Sequence, residues 1–168
     1  MSDTRRYSPL SVVLHWGVAV LIFVMMTLGF MMAAAPTDAI EDYVQDIHIS
    51  LGFFVFLIVV WRIGIRLVEG FPPANPDPKP IRLMAKVTHL AILVLLTVQV
   101  ITGPMYLFTE NECVDVFGWF AICLPLESLS SVHELMETIH VVTGLYILPV
   151  LIGLHLLGAI RHYFVHRN

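Results

Sequence analysis

Four histidines in this chain share a local pattern. His15 is followed four residues later by Ala19, His48 by Gly52, His140 by Gly144 and His155 by Ala159. A residue at i+4 lies one turn along on the same helix face, so each imidazole would have open space beside it. Glycine and alanine together make up 20 of the 168 residues, about one in eight, so four small neighbours out of four exceeds chance. The other histidines lack the pattern: Leu93 follows His89, Glu137 follows His133 and His166 follows His162. Neutral imidazole is both a hydrogen-bonding group and a metal ligand, so two of them facing each other across a gap could hold a bound group between them.

The elements that carry these histidines belong in a membrane. The chain is 58% hydrophobic and 13% charged, with a mean hydropathy of +0.84, which excludes an ordinary soluble domain. Apolar runs cover roughly 11–34, 47–68, 84–108 and 135–160, each long enough to cross a bilayer as a helix. The expectation is an all-α, four-helix integral membrane bundle forming one domain over 1–168. No small-residue cleavage site follows the first run, so it is read as a retained span. "FPPANPDPKP" (71–80) reads as a stiff, extended connector between the second and third spans. The third loop, about 109–134, is the longest and contains Cys113 and Cys123.

Charge orients the bundle. With four spans, all nine basic residues (Arg5, Arg6, Arg62, Arg66, Lys79, Arg82, Lys86, Arg161 and Arg167) fall at the termini or around the second loop. That side is cytoplasmic by the positive-inside rule, and both termini with it. The other side holds ten carboxylates and no Lys or Arg: Asp38, Glu41, Asp42, Asp46, Glu110, Glu112, Asp115, Glu127, Glu134 and Glu137.

Orientation gives the histidines depths. His15 and His155 fall toward the inner ends of the first and fourth spans, and His48 and His140 toward the outer ends of the second and fourth. The fifteen positions from His140 to His155 cover about 22 Å at 1.5 Å rise per residue, enough for two separate levels. A haem takes one axial imidazole from each of two helices, and as a flat disc it needs the space that the small i+4 residues leave. The central thirds of the spans carry no carboxylate, which favours electron over ion transfer and speaks against the alternative of a haem or metal-ion transporter.

On these residues the chain resembles a known family. "YSPLSVVLHWGVAVLIF", "DIHISLGFFVFLIVVWRIGIRL", "MAKVTHLAILVLL" and "IGLHLLGAIRHYF" are similar to the bacterial cytochrome b561 family, dihaem four-helix proteins of the inner membrane that exchange electrons with quinone. The resemblance runs over nearly the whole chain. It implies two haems b, with His15 and His155 as ligands of the inner one and His48 and His140 of the outer one, in agreement with the depths. It also implies ubiquinone as redox partner and, since some relatives oxidise superoxide at the outer face, a quinone-linked oxidoreductase. A membrane anchor or electron-relay subunit for a separate redox protein is the second reading. One departure stands out: relatives usually have fourteen residues between the two ligands of the last span, and here the spacing is fifteen. One extra helical residue turns a side chain by about 100°. Pro149, which removes a backbone donor, could host a bulge that absorbs it. His133 is the competitor for His140, but lies too far out.

The remaining features have weaker assignments. His89 and His162 are candidates to hydrogen-bond a quinone carbonyl or a haem propionate. Arg62, Arg66, Lys79, Arg82 and Lys86 could neutralise propionates, although anionic lipid headgroups suffice to explain most of them. Trp16, Phe53, Phe54, Phe56 and the methionines Met25, Met26, Met31 and Met32 are read as packing residues. Cys113 and Cys123, sharing an outer loop in an oxidising compartment, are expected to pair. No side chain has a catalytic role assigned. The expected partners are quinone, membrane lipid and a cationic periplasmic redox protein that would suit the acidic outer face, with no nucleic acid.

Overall fold

The computed structural model describes residues 9–69 and 78–165. Four helical segments among them are long and apolar enough to cross a membrane. They are α1 (Pro9–Ala33), α2 (Asp38–Glu69), α3 (Lys79–Thr109) and a composite fourth span. The fourth begins with a 3-10 segment (Glu127–Val132) and continues as α4 (His133–Val142), a π-helical turn (Thr143–Ile147) and α5 (Leu148–Val165). Most of the proline-rich connector lies outside the described residues, as do Arg5, Arg6 and Arg167.

The helices overrun the apolar runs. α2 starts at Asp38 where the hydropathy suggested 47, and α3 at Lys79 where it suggested 84. The extra turns carry charged residues, Asp38, Glu41, Asp42 and Asp46 in α2 and Lys79 and Arg82 in α3. In α2 they also suit the helix dipole, with Asp38 and Glu41 in the first turn and Arg66 in the last. Large side chains such as Phe23, Leu67, Leu83 and Leu157 are exposed on the outside of the bundle, as lipid contact requires. Hydroxyls within the spans are satisfied locally: Thr27, Thr97, Thr102 and Thr109 each donate to the carbonyl four residues back.

α1 packs chiefly on α2, and α3 on the fourth span, so the bundle is two helical hairpins laid together. Between them, halfway through, Val18, Ile22, Val55, Val59 and Val100 form an apolar plug, with Met25, Leu96 and Ile152 against it. A second cluster closes the outer end, where Leu107 and Phe108 of α3 meet Val114 and Val116 of the third loop.

That loop departs from the all-helical expectation. β1 (Cys113–Val116) and β2 (Phe120–Cys123) form an antiparallel hairpin with Val114 opposite Ile122 and Val116 opposite Phe120. Val114 and Val116 turn inward while Asp115 between them faces out, the period-two alternation of a half-buried strand. Cys113 and Cys123 face each other with Cα atoms 4.4 Å apart and are joined by a disulfide. This separation is that of a non-hydrogen-bonded antiparallel pair, where facing side chains come closest.

Candidate functional site

The two helical hairpins meet at two pairs of histidines. Near the inner end, His15 of α1 faces His155 of α5 with ring centres 6.2 Å apart. Near the outer end, His48 of α2 faces His140 of α4 with ring centres 6.3 Å apart. In both pairs one partner comes from each hairpin, and the apolar plug lies between the levels. A metal bound by one imidazole on each side, at about 2 Å per bond, holds the ring centres roughly 6 Å apart. Both pairs therefore have the spacing of a bis-imidazole site. No group of three or more His, Cys, Asp or Glu side chains converges as metal ligands among the described residues. Each pair offers two protein donors, which suits a metal that brings its remaining ligands within a macrocycle.

The π turn makes the fifteen-residue spacing compatible with both pairs. The Leu148 N–H reaches the Thr143 carbonyl, five residues back instead of four. Pro149 follows at once, and without an N–H it cannot restore the α-helical bond to Leu145. One residue is thereby absorbed, and His140 and His155 stand as two residues of an unbroken helix fourteen apart would.

His140 has more support than sequence reasoning found. Thr102 of α3 has one hydroxyl proton, and it goes to the Val98 carbonyl at 2.9 Å. Its oxygen lies 3.2 Å from His140 Nδ1 and is left to accept. Nδ1 then carries the imidazole proton, and Nε2 has a free lone pair. Gly103 is next to Thr102, and a Cβ there would stand 2.9 Å from His140 Cε1, so only glycine admits the ring. Gln99, one turn lower, donates from Nε2 to the His140 carbonyl at 3.0 Å. Its Oε1 is buried with no partner among the described residues. The Gln99 amide also fills the notch beside Gly144, where a Cβ would meet its Nε2 at 2.8 Å. The small i+4 residue thus has its space taken by a polar side chain that must rotate to free it. At Gly52 the contact is looser, with Met25 Cε 3.6 Å from a Cβ position. His48 Nδ1 is buried without a hydrogen bond of good geometry.

The inner pair differs. Arg62 Nη2 lies 3.0 Å from His15 Nδ1, and its Nη1 donates to the Ser11 carbonyl at 3.3 Å. A guanidinium only donates, so His15 meets it with a lone pair at Nδ1. A neutral His15 that binds metal through Nε2 needs its proton on Nδ1, so Arg62 must then turn to another acceptor. A propionate would supply one, the first of the two roles that the sequence suggested for it. His89 lies against His155 with ring centres 4.9 Å apart, too close for the two to bind opposite sides of one metal. His162 is half-buried two turns beyond His155. His133 is engaged elsewhere: Nδ1 lies 3.2 Å from both Thr109 Oγ1 and the Tyr106 carbonyl, and Nε2 lies 3.2 Å from Glu110 Oε1. At the outer end of the bundle, Asp42, Asp46, Glu112 and Asp115 line a cavity of about 420 Å³ together with Gln45, Ile49, Ser50 and Cys113.

Comparison with known proteins agrees with this architecture. The family model described as prokaryotic cytochrome b561 matches residues 6–168. Cytochrome b561 homolog 2 of Escherichia coli is 26% identical over 166 residues, covering 98% of this chain and 88% of that protein. A probable superoxide oxidase, CybB, of Yersinia pestis is 26% identical over 174 residues, covering 98% and 92%. Cytochrome b562 of Cereibacter sphaeroides is 30% identical over 84 residues, 46% of this chain and 52% of the other. With four membrane-spanning helices and a family match over nearly its whole length, the chain belongs to the prokaryotic cytochrome b561 family, b-type electron-transfer cytochromes of the bacterial inner membrane.

Proposed function

We propose that this cytochrome holds two haems b, one between His15 and His155 and one between His48 and His140, and passes single electrons between the outer face and the quinone pool. The observation that carries the reading is the near-equal ring separation of the two pairs, 6.2 and 6.3 Å, at two depths. Bound there, the iron supplies a one-electron couple that a hydrocarbon-embedded protein otherwise lacks.

The chain's own residues do the rest. Thr102 fixes the His140 tautomer, and Gly103 gives its ring room. The valine-rich plug keeps water and ions from the space between the levels. Arg62, which here meets His15, would neutralise a propionate at the inner level. His89 and His162 are the candidates to hydrogen-bond a quinone carbonyl there, ubiquinone being the expected partner. A ubiquinol donor would release two electrons in single steps, with its two protons left to groups at the same face. The acidic rim of the outer cavity favours a cationic redox protein as the outer partner.

The test is direct. Purified protein should contain two haems b per chain, and anaerobic ubiquinol should bring up sharp reduced b-type bands. One haem in carefully prepared protein, or haems that quinol cannot reduce, would overturn the reading.

A second expected result concerns the π turn. Deleting Tyr146, whose side chain is exposed, removes one residue from Thr143–Ile147 and should convert the turn to α-helix with both haems retained. Loss of either haem from the folded deletion variant would show that the π turn does more than keep register.

A further inference from the structure

The geometry points to the tip of the disulfide-bonded hairpin as a lipid-inserted anchor, seated in the outer leaflet beside α2. The tip is Phe117, Gly118, Trp119 and Phe120, and three of its four residues are aromatic. They are open to the outside: Phe117 is 43% exposed, Trp119 73% and Phe120 45%. Exposed rings on a loop could meet water, a protein or lipid, and depth and hydrogen bonding decide between these.

Depth follows from α2. Twenty residues separate Asp46 from Arg66, about 30 Å of helix, which is the thickness of the hydrocarbon. Asp46 thus marks the outer boundary. Ser50 lies four residues further in, about 6 Å, and Phe53 seven residues in, about 10 Å. The hairpin tip touches both. The Ser50 hydroxyl accepts from the Phe117 N–H at 2.9 Å and donates to the Asp115 carbonyl at 3.2 Å. The Phe120 ring lies 5.5 Å from the Phe53 ring. The tip therefore reaches below the boundary, to the depth at which interfacial aromatic residues and amphipathic segments settle.

Hydrogen bonding agrees. A loop turned toward water can leave its N–H groups to solvent, whereas one in lipid must satisfy them internally. All three N–H groups of the turn itself have partners within the protein. Phe117 donates to Ser50, Gly118 to Asp115 Oδ1 at 2.7 Å, and Trp119 to the Val116 carbonyl at 2.9 Å. Phe117 is even held at a φ of 54°, a left-handed conformation unfavourable for a bulky residue. Ser50, only 3% exposed, is the side chain that holds it. Glu112 and Asp115 line the acidic cavity, while Phe117, Trp119 and Phe120 form the hairpin's exposed aromatic edge.

The test uses the holoprotein in phosphatidylcholine nanodiscs that contain a phospholipid with a diazirine near the head of its acyl chain. After photolysis, peptide mass spectrometry should find lipid adducts on Phe117, Trp119 or Phe120. Hydroxyl radicals generated in the water should modify Trp119 severalfold less than Tyr43, which is 67% exposed on the polar overhang of α2. Trp119→Ser, which keeps every hydrogen bond of the turn, should abolish the adduct at that position and leave the disulfide and haem content unchanged. Absence of lipid adducts, or aqueous modification of Trp119 equal to that of Tyr43, overturns the proposal. Protection of the tip only when a soluble redox protein is added would likewise assign it to that partner.

Discussion

Replacing His140 with alanine is expected to remove one of two haems per chain, halving the haem content while the reduced spectrum of the other persists. His48→Ala should do the same, and His15→Ala or His155→Ala should remove the complementary haem. The two levels share the fourth span but no side chain, and the apolar plug separates them, so losses should be selective. Gly103→Val is a stricter version because it leaves every histidine in place. Its branched side chain would start from a Cβ 2.9 Å from His140 Cε1, and the ring must leave its position facing His48. Selective loss of the outer haem in Gly103→Val would be difficult to explain unless His140 is its ligand. His133→Ala provides the contrast. It breaks contacts with Thr109, Tyr106 and Glu110, at a cost of about 1–3 kcal/mol, yet should keep both haems. Retention of the outer haem in His140→Ala, with its loss in His133→Ala, would transfer the assignment to His133.

Much of this arrangement was legible in the sequence because membrane spans are written locally. Uninterrupted apolar runs gave four spans, and counting residues along them put His15 with His155 and His48 with His140. The odd fifteen-residue spacing beside Pro149 pointed to a bulge, and the π turn lies directly before that proline. What escaped notice depends on contacts between distant segments. Thr102, Gly103 and Gln99 have ordinary identities for a membrane helix and acquire meaning only where α3 crosses α4. The glycine that follows Thr102 was a signal of sorts, since a glycine inside a helix can mark a place where a neighbouring element approaches closely. The hairpin was written locally in the alternation of "CVDV" and "FAIC" around a glycine, but strands four residues long fall below what periodicity resolves. Its depth against Ser50 and Phe53 could not be read at all without the fold.

Superoxide oxidation by this protein is expected to be slow at low ionic strength and to speed up as salt is added. One relative bears the name probable superoxide oxidase, which makes superoxide the first anion to test against this charge. Superoxide is an anion, and a site that collects it gains rate from a positive field. Here the outer side carries ten carboxylates and no Lys or Arg. Four of them, Asp42, Asp46, Glu112 and Asp115, line a cavity at the outer end of the bundle. The field at that mouth repels the anion, and salt screens the repulsion with a Debye length of about 10 Å at 0.1 M. A positively charged soluble redox protein should show the opposite trend, exchanging electrons fastest at low salt. Exchanging Asp42 and Asp46 for asparagine should raise the superoxide rate and flatten its salt dependence while slowing the cationic protein. Stopped-flow reduction of the haems by each donor across ionic strength separates these outcomes. A superoxide rate near the diffusion limit that falls with added salt would mean that the field at the outer site attracts anions, and the acidic rim would then have no part in choosing the donor.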